Sequence, residues 1–263
     1  MVRTFTTCMQ CQVENGAPNL GSFGMERIPD DSVIEVICDR GHHTFILIQQ
    51  AKYEILSELA VTALCDGYYR EAVASFASAL ERLYEHYVDV VCRARDIDRA
   101  AFAAAWKPLR KASERQLGAF TILYLIEKGE AFPLLADKHV SFRNNVIHGG
   151  MIPDRNQAVA YGQAVGDCAA PLIALLHSAR YDEARQSIIF DNLREKSQRA
   201  LEAGVRHSTQ SIHTPFSYNG SSVGFDLEAV LAERAKRPNM DDTVTVSHAL
   251  ARLLAGTASP SQN

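Results

Sequence analysis

No excess of positive charge marks this chain. Its 263 residues carry 27 Lys and Arg against 31 Asp and Glu, a formal net charge of -4, which excludes the global basic field of a protein that coats DNA. Contact with nucleic acid has to be local. Long apolar runs are missing too: the richest, Gly118 to Ile126, ends at Glu127 and Lys128, short of the 18 or more residues that cross a bilayer. No membrane partner is expected. Met1 to Cys8 contain no apolar core of a secretory leader, so a cytoplasmic setting with reduced thiols is expected. No internal repeat is visible, which excludes a solenoid or propeller.

Apolar residues are plentiful, at 47%. That excludes a disordered chain and supplies material for one main domain with an appendage. Residues 1–48 read differently from the rest. They hold Cys8-x-x-Cys11, a stretch rich in Asn, Gly and Pro from Asn15 to Gly24, and two β-like runs, Ser32–Cys38 and Thr44–Ile48. Between the runs lies Cys38-Asp-Arg-Gly-His42-His43, so the pattern predicts a hairpin with metal ligands at its turn.

Cys8, Cys11, Cys38 and a histidine suit Zn2+, which prefers four tetrahedral Cys or His ligands. A two-residue spacer lets both thiolates of a CxxC reach one ion. His42 is the better fourth ligand because Gly41 before it permits the turn, and His43 stays open. A redox dithiol would want a helix starting at the first cysteine; Asn and Gly suggest loop instead. A closed four-ligand zinc site is structural, replacing a core that 48 residues can hardly build. Cys65, Cys92 and Cys168 read as inert core residues on apolar helical faces.

From Gln49 onward the periodicity is helical. Leu56, Leu59, Ala60, Ala63 and Leu64 share a face up to Asp66-Gly67, and Val73, Phe76, Ala77, Leu80, Tyr84, Tyr87 and Val91 line the next helix. Further helices are expected from Ala100 to Lys107, where Pro108 interrupts, from Glu114 to Lys128 with Gly129 as C-cap, and from Leu134 to His148. Pro153-Asp154 opens a long stretch with a break or kink expected at Pro171. Short connections between such helices predict a bundle over residues 49–204. Residues 205–263 read as an extension, polar and Gly/Ser-rich from His207 to Val223, with two short helices at Leu227–Lys236 and Ser247–Leu254 and a disordered tail from Thr257. The fold class is therefore mainly α, an antiparallel helical bundle preceded by a small β zinc ribbon.

Basic side chains cluster twice: Lys107, Arg110, Lys111 and Arg115, then Lys138, His139, Arg143 and Arg155. They offer a local nucleic-acid surface, although for the first cluster a solvated helix face is at least as good a reading. The segment Ser141 to Gly150 is the most informative. Arg143, always charged and forked toward phosphate oxygens, stands five residues from His148, whose side-chain type titrates near neutrality. Those parts suffice to break a phosphodiester without metal. Asn144 and His148 share a face at i and i+4, but Arg143 is rotated by roughly 140° from His148 on the 3.6-residue repeat. One helix alone does not assemble the site. Glu81 reads as an exposed helix charge, with a supporting carboxylate as the alternative.

Arg143, Asn144 and His148, together with the helix pair running through Asp66-Gly67-Tyr68-Tyr69-Arg70-Glu71-Ala72 into Ala79-Leu80-Glu81-Arg82-Leu83, resemble the HEPN superfamily, whose signature is Arg, a polar residue, and His after a gap of four to six. The resemblance spans roughly Gln49 to Arg180 and includes neither the ribbon nor the tail. It implies a metal-independent endoribonuclease acting on RNA as a homodimer, with Arg143 and His148 of both copies lining one cleft and Asn144 in support. It also implies a toxin-antitoxin or phage-defence setting with an antitoxin or regulatory partner. The competing expectation is a HEPN-like module that binds protein or nucleic acid and breaks no bond. A zinc-dependent enzyme is disfavoured because four protein ligands would fill the ion's coordination.

Overall fold

The β-branched Val33, Ile34 and Val36, and an unbroken apolar Phe45 to Ile48, suit two strands that bury both faces. In the computed structural model, which describes residues 2–17, 19–218 and 224–236, they form β3 (Val33–Ile37) and β4 (His43–Ile48), an antiparallel hairpin with Val33 opposite Leu47 and Ile37 opposite His43. Ahead of them β1 (Arg3–Thr6) pairs antiparallel with β2 (Gly24–Arg27), and the short helix α1 (Met9–Asn15) lies between.

A third strand completes the hairpin's sheet from far along the chain. β5 (Arg206–Gln210) runs parallel to β4, with Thr44 opposite Arg206 and Ile48 opposite Gln210. Residues expected in a separate C-terminal extension thus sit in the N-terminal sheet. Ile34, Val36, Ile46 and Ile48 face Val2, Ile28 and Ile55, while Val33, Phe45 and Leu47 face Ala200.

The rest is helical, as the periodicity predicts: α2 (Lys52–Cys65), α3 (Tyr69–Ala94), α4 (Arg99–Leu109), α5 (Ser113–Lys128), α6 (Asp137–Ile147), α7 (Arg155–Leu176), α8 (Asp182–Glu202) and α9 (Leu227–Ala235). The described residues are mainly α with small sheets. Gly67, at φ +78°, makes the turn that folds α2 back on α3, a backbone region that costs glycine nothing.

α3 is the hub, packing on α2, α5, α6, α7 and α8. Its apolar stripe, including Phe76, Leu80, Leu83 and Tyr87, is buried. Tyr84 stacks on Phe120 at 4.2 Å, and Phe132 meets Phe120 edge-on at 5.1 Å.

Several expectations change here. Pro171 lies inside a continuous α7 and Pro108 inside the last turn of α4, so neither ends its helix. α8 is a separate 21-residue helix with Ala184, Ile188 and Ala200 buried. Cys65 is exposed rather than part of the core. α7 contains an 18-residue window of mean hydropathy 1.4, long and apolar enough to span a bilayer by length and composition, and half of that window is buried within the protein. A search for uninterrupted apolar runs passes over it because polar residues interrupt the stretch. On its other side α7 carries Gly162 and Gly166, where a methyl would overlap Phe76 and Leu227, or the ring of Phe225. Glycine there lets the segment leading into α9 close onto the bundle. The helix expected at Ser247–Leu254 and the tail expected to be disordered lie outside the described residues.

One packing detail has a pH signature. Burial, reinforced by Arg185 and His177 and opposed by Asp89, drops His86 to about 4, under the Tyr53 ring at 5.4 Å. The folded state resists protonation that the unfolded chain accepts below about 6.5, so this stability is complete above 6.5 and is lost as pH falls toward 4, by about 3 kcal/mol. Glu54, which burial raises to about 6, works the other way. It returns up to about 2 kcal/mol as pH falls from 6 to 4.5. Burial also drops His177 to about 4, so thermal melts between pH 7 and pH 4.5 are expected to show a decline that His86→Gln makes shallower and that His86→Gln with His177→Gln flattens. An equally steep decline in the single variant would remove His86 as its source.

Candidate functional sites

The first site is made by two turns. Cys8 follows β1 and caps α1, its Sγ accepting from the Cys11 amide at 3.5 Å. The CxxC therefore opens a short helix, where sequence reading placed loop. Gly16 at φ +69° ends that helix. In the β3–β4 turn the Gly41 amide donates to the Cys38 carbonyl at 2.9 Å and the Cys38 amide to the His42 carbonyl at 3.1 Å, with Gly41 at φ +78°.

These turns converge. One ligand atom from each of Cys8, Cys11, Cys38 and His42 falls within 4.8 Å of every other. Cys8 Sγ lies 3.8 Å from His42 Nδ1, Cys11 Sγ 3.8 Å from Cys38 Sγ, and Cys11 Sγ 3.3 Å from His42 Nδ1. A tetrahedral ion with bonds of about 2.3 Å to sulfur sets ligands about 3.8 Å apart, so these three edges already have the dimensions of a coordination shell. The four residues can hold a metal ion.

The surroundings fit the same role. His42 Nε2 lies 3.4 Å from Glu14, which fixes the ring with Nδ1 inward. The Asn19 amide donates to Cys11 Sγ at 3.5 Å and opposes the burial that pushes that thiol up. His43 is not in the cluster. Its Nε2 pairs with Glu35 at 2.6 Å on the hairpin's open face.

The second site is a cavity of about 400 Å³ between α3, α5 and α6, lined in part by Glu81, Gln116, Val140, Arg143, Asn144 and Tyr161. α6 aims Arg143 across to α3, where Nη2 donates to Glu81 Oε1 at 2.8 Å, while Nη1 donates to Asn144 Oδ1 at 2.9 Å. Glu81 is thus an ion-pair partner of Arg143 and not a free helix charge. Burial raises the Tyr161 phenol to about 12, with the Arg143 guanidinium opposing. The phenol therefore stays protonated at neutral pH.

His148 stands apart from this cavity. It is the C-cap of α6, its amide donating to the Asn144 carbonyl at 2.8 Å, and its side chain is exposed. Arg70 donates to the neighbouring Ile147 carbonyl at 3.4 Å, and Gly149 packs where a methyl would stand 2.9 Å from the Asn145 carbonyl. Of the three residues read from the sequence, one chain brings Arg143 and Asn144 together and leaves His148 facing outward. Gln116 and Tyr161 carry no sequence signal, since only packing against α3 brings them in. Comparison with family models, curated proteins and solved structures finds no match to this chain.

Proposed function

We propose that this chain is a metal-independent, HEPN-type endoribonuclease whose Cys3His site holds a structural Zn2+. The observation that carries the reading is the guanidinium of Arg143, braced by Glu81 and Asn144 at the wall of a cavity and five residues before the exposed imidazole of His148. A braced guanidinium is preorganised for a phosphate, and its remaining N–H groups can face a ligand. In the reaction the ribose 2′-OH attacks its phosphorus and the P–O5′ bond breaks. A 2′,3′-cyclic phosphate and a 5′-OH result. His148 takes the 2′-OH proton or supplies one to the leaving O5′, Arg143 stabilises the charge on the phosphate, and Asn144 orients the guanidinium.

Because His148 of one chain faces away from its own Arg143 cavity, the complete site needs a second copy, and the working unit of this proposal is a homodimer. An unrestrained ribonuclease suits a toxin or phage-defence role in the cytoplasm under an antitoxin or other regulatory partner. The soft thiolate-rich donor set favours zinc over Mg2+ or Ca2+, and with four protein ligands the ion is a structural element. A second reading, a module that binds RNA or protein and cleaves nothing, draws on the Arg143–Glu81 pair, which neutralises the guanidinium.

The test is cleavage of a labelled single-stranded RNA in excess EDTA, with zinc content measured in parallel because a thiolate site releases its ion slowly. Wild type is expected to leave 2′,3′-cyclic phosphate ends, and His148→Ala to lose at least 100-fold in rate, within the 10²–10⁴ that general acid–base groups supply. Equal cleavage by both proteins would rule out the proposed site.

A further inference from the structure

We propose that the turn joining α4 to α5 binds the phosphodiester backbone of single-stranded RNA and feeds it to the Arg143 cavity. This rests on the ribonuclease reading for its direction but not for its chemistry. Between residues 99 and 126 five basic side chains, Arg99, Lys107, Arg110, Lys111 and Arg115, face a single acid, Glu114. Five minus one leaves a local excess of four in a chain whose net charge is -4.

Arg99 is held by Asp89. The other four are exposed, and among the described residues none of them has a carboxylate partner. Elsewhere Arg82, Arg93, Arg95 and Arg180 are all tied to carboxylates. Cations left open in a chain otherwise rich in ion pairs form a local field for a polyanion.

Helix electrostatics account for only half of the cluster. Lys107 and Arg110 lie at the C-terminal end of α4, where the helix dipole favours cations. Lys111 and Arg115 lie at the N-terminal end of α5, where it disfavours them. Arg115 donates to the Pro108 carbonyl at 3.3 Å, which ties the two halves of the turn together. Position supplies the rest: Ser113, Glu114, Gln116 and Leu117, interleaved with the cluster and just after it, line the same cavity as Arg143 and Asn144. A strand lying along the turn would pass the mouth of that cavity, whose carboxylates, Glu81, Glu114 and Asp137, leave Arg143 as the cation there to meet a phosphate.

The experiment uses the full chain carrying His148→Ala, so that RNA is bound and not cut, and a fluorescent oligouridine titrated between 50 and 300 mM KCl. Each phosphate neutralised on a single strand contributes about 0.7 to the slope of log K against log salt. Adding Lys107→Gln, Arg110→Gln and Lys111→Gln is expected to reduce that slope by about 2 and to weaken binding on the order of tenfold or more. A charge-matched control, Arg40→Gln, Arg194→Gln and Lys236→Gln, is expected to bind like its parent. All six positions are exposed, so the melting temperature reports that both triple variants remain folded.

Equal loss in the two triple variants, or unchanged binding in the first, overturns the proposal. So does a parent that ignores oligouridine, and polyglutamate capture in that case would assign the turn to an acidic protein partner. RNA binding that depends on the turn, in a chain that with His148 intact never cuts RNA, would uphold this inference and remove the ribonuclease.

Discussion

Stripping the proposed zinc from Cys8, Cys11, Cys38 and His42 is expected to unfold residues 3–27 locally and to leave the bundle standing. Structural zinc sites supply about 10 kcal/mol or more of apparent folding free energy in small peptides, and this segment has little else. α1 buries only Cys11, and Val2 and Ile28, buried nearby, lie just outside the strands β1 and β2. The β3–β4–β5 sheet is different because Phe45, Ile46, Leu47 and Ile48 are clamped between Ile55 on one side and Ala200 on the other. Amide exchange should therefore lose at least 1,000-fold protection over β1, α1 and β2, about 4 kcal/mol, while β4 keeps its protection. Cys11→Ser should mimic the metal-free state. Retained protection at Phe5 and Met25 after verified zinc loss would show that the segment folds without its ion.

Replacing Arg143 with Ala is expected to lower kcat/KM for RNA cleavage by about 1,000-fold, or about 4 kcal/mol of transition-state stabilisation. The effect should fall mainly on kcat, because in the proposed reaction the guanidinium meets charge that grows during attack. Arg143→Lys should recover little: an ammonium cannot brace on Glu81 and Asn144 and still present a second N–H to phosphate. Glu81→Gln keeps an acceptor for Arg143 but removes its charge, and a tenfold loss is expected. Single-turnover kinetics at saturating RNA separate these effects from binding. Arg143→Ala cleaving within tenfold of wild type would place the chemistry elsewhere.

What could be read from the sequence depended on whether its signal was local. The α3 stripe and the α2 face repeat every three or four residues, and the β3–β4 hairpin joins two short β-branched and apolar runs across its own turn, so both were legible. The cluster of Cys8, Cys11, Cys38 and His42 could be read because metal chemistry restricts residue type and spacing together. β5 could not: Arg-His-Ser-Thr-Gln has no apolar alternation and becomes a strand only because β4 offers it an edge. Of the break or kink expected at Pro171, the break does not occur: α7 runs on through it, because its packing on α3 outweighs a local helix penalty. Glu81 lies 62 residues from Arg143, and an isolated carboxylate on a long helix does not announce its partner. The separation of His148 from Arg143 was legible in part, because the 3.6-residue repeat already turns the two apart, whereas the Arg70 contact at the end of α6 was not.

The parallel strand β5 also sets a timetable for synthesis. As the chain leaves a ribosome, β3 and β4 can zip together almost at once, but the open side of β4 has to wait for Arg206 to emerge, 206 minus 44 or 162 residues after Thr44. At ~5–20 residues per second that is roughly ten to thirty seconds. Throughout that interval the Phe45–Ile48 run has an unpaired edge, the kind of surface on which nascent chains stick to one another. A newly made molecule is therefore vulnerable in a part that is buried once complete, and a chaperone that recognises short apolar strands would find its target there.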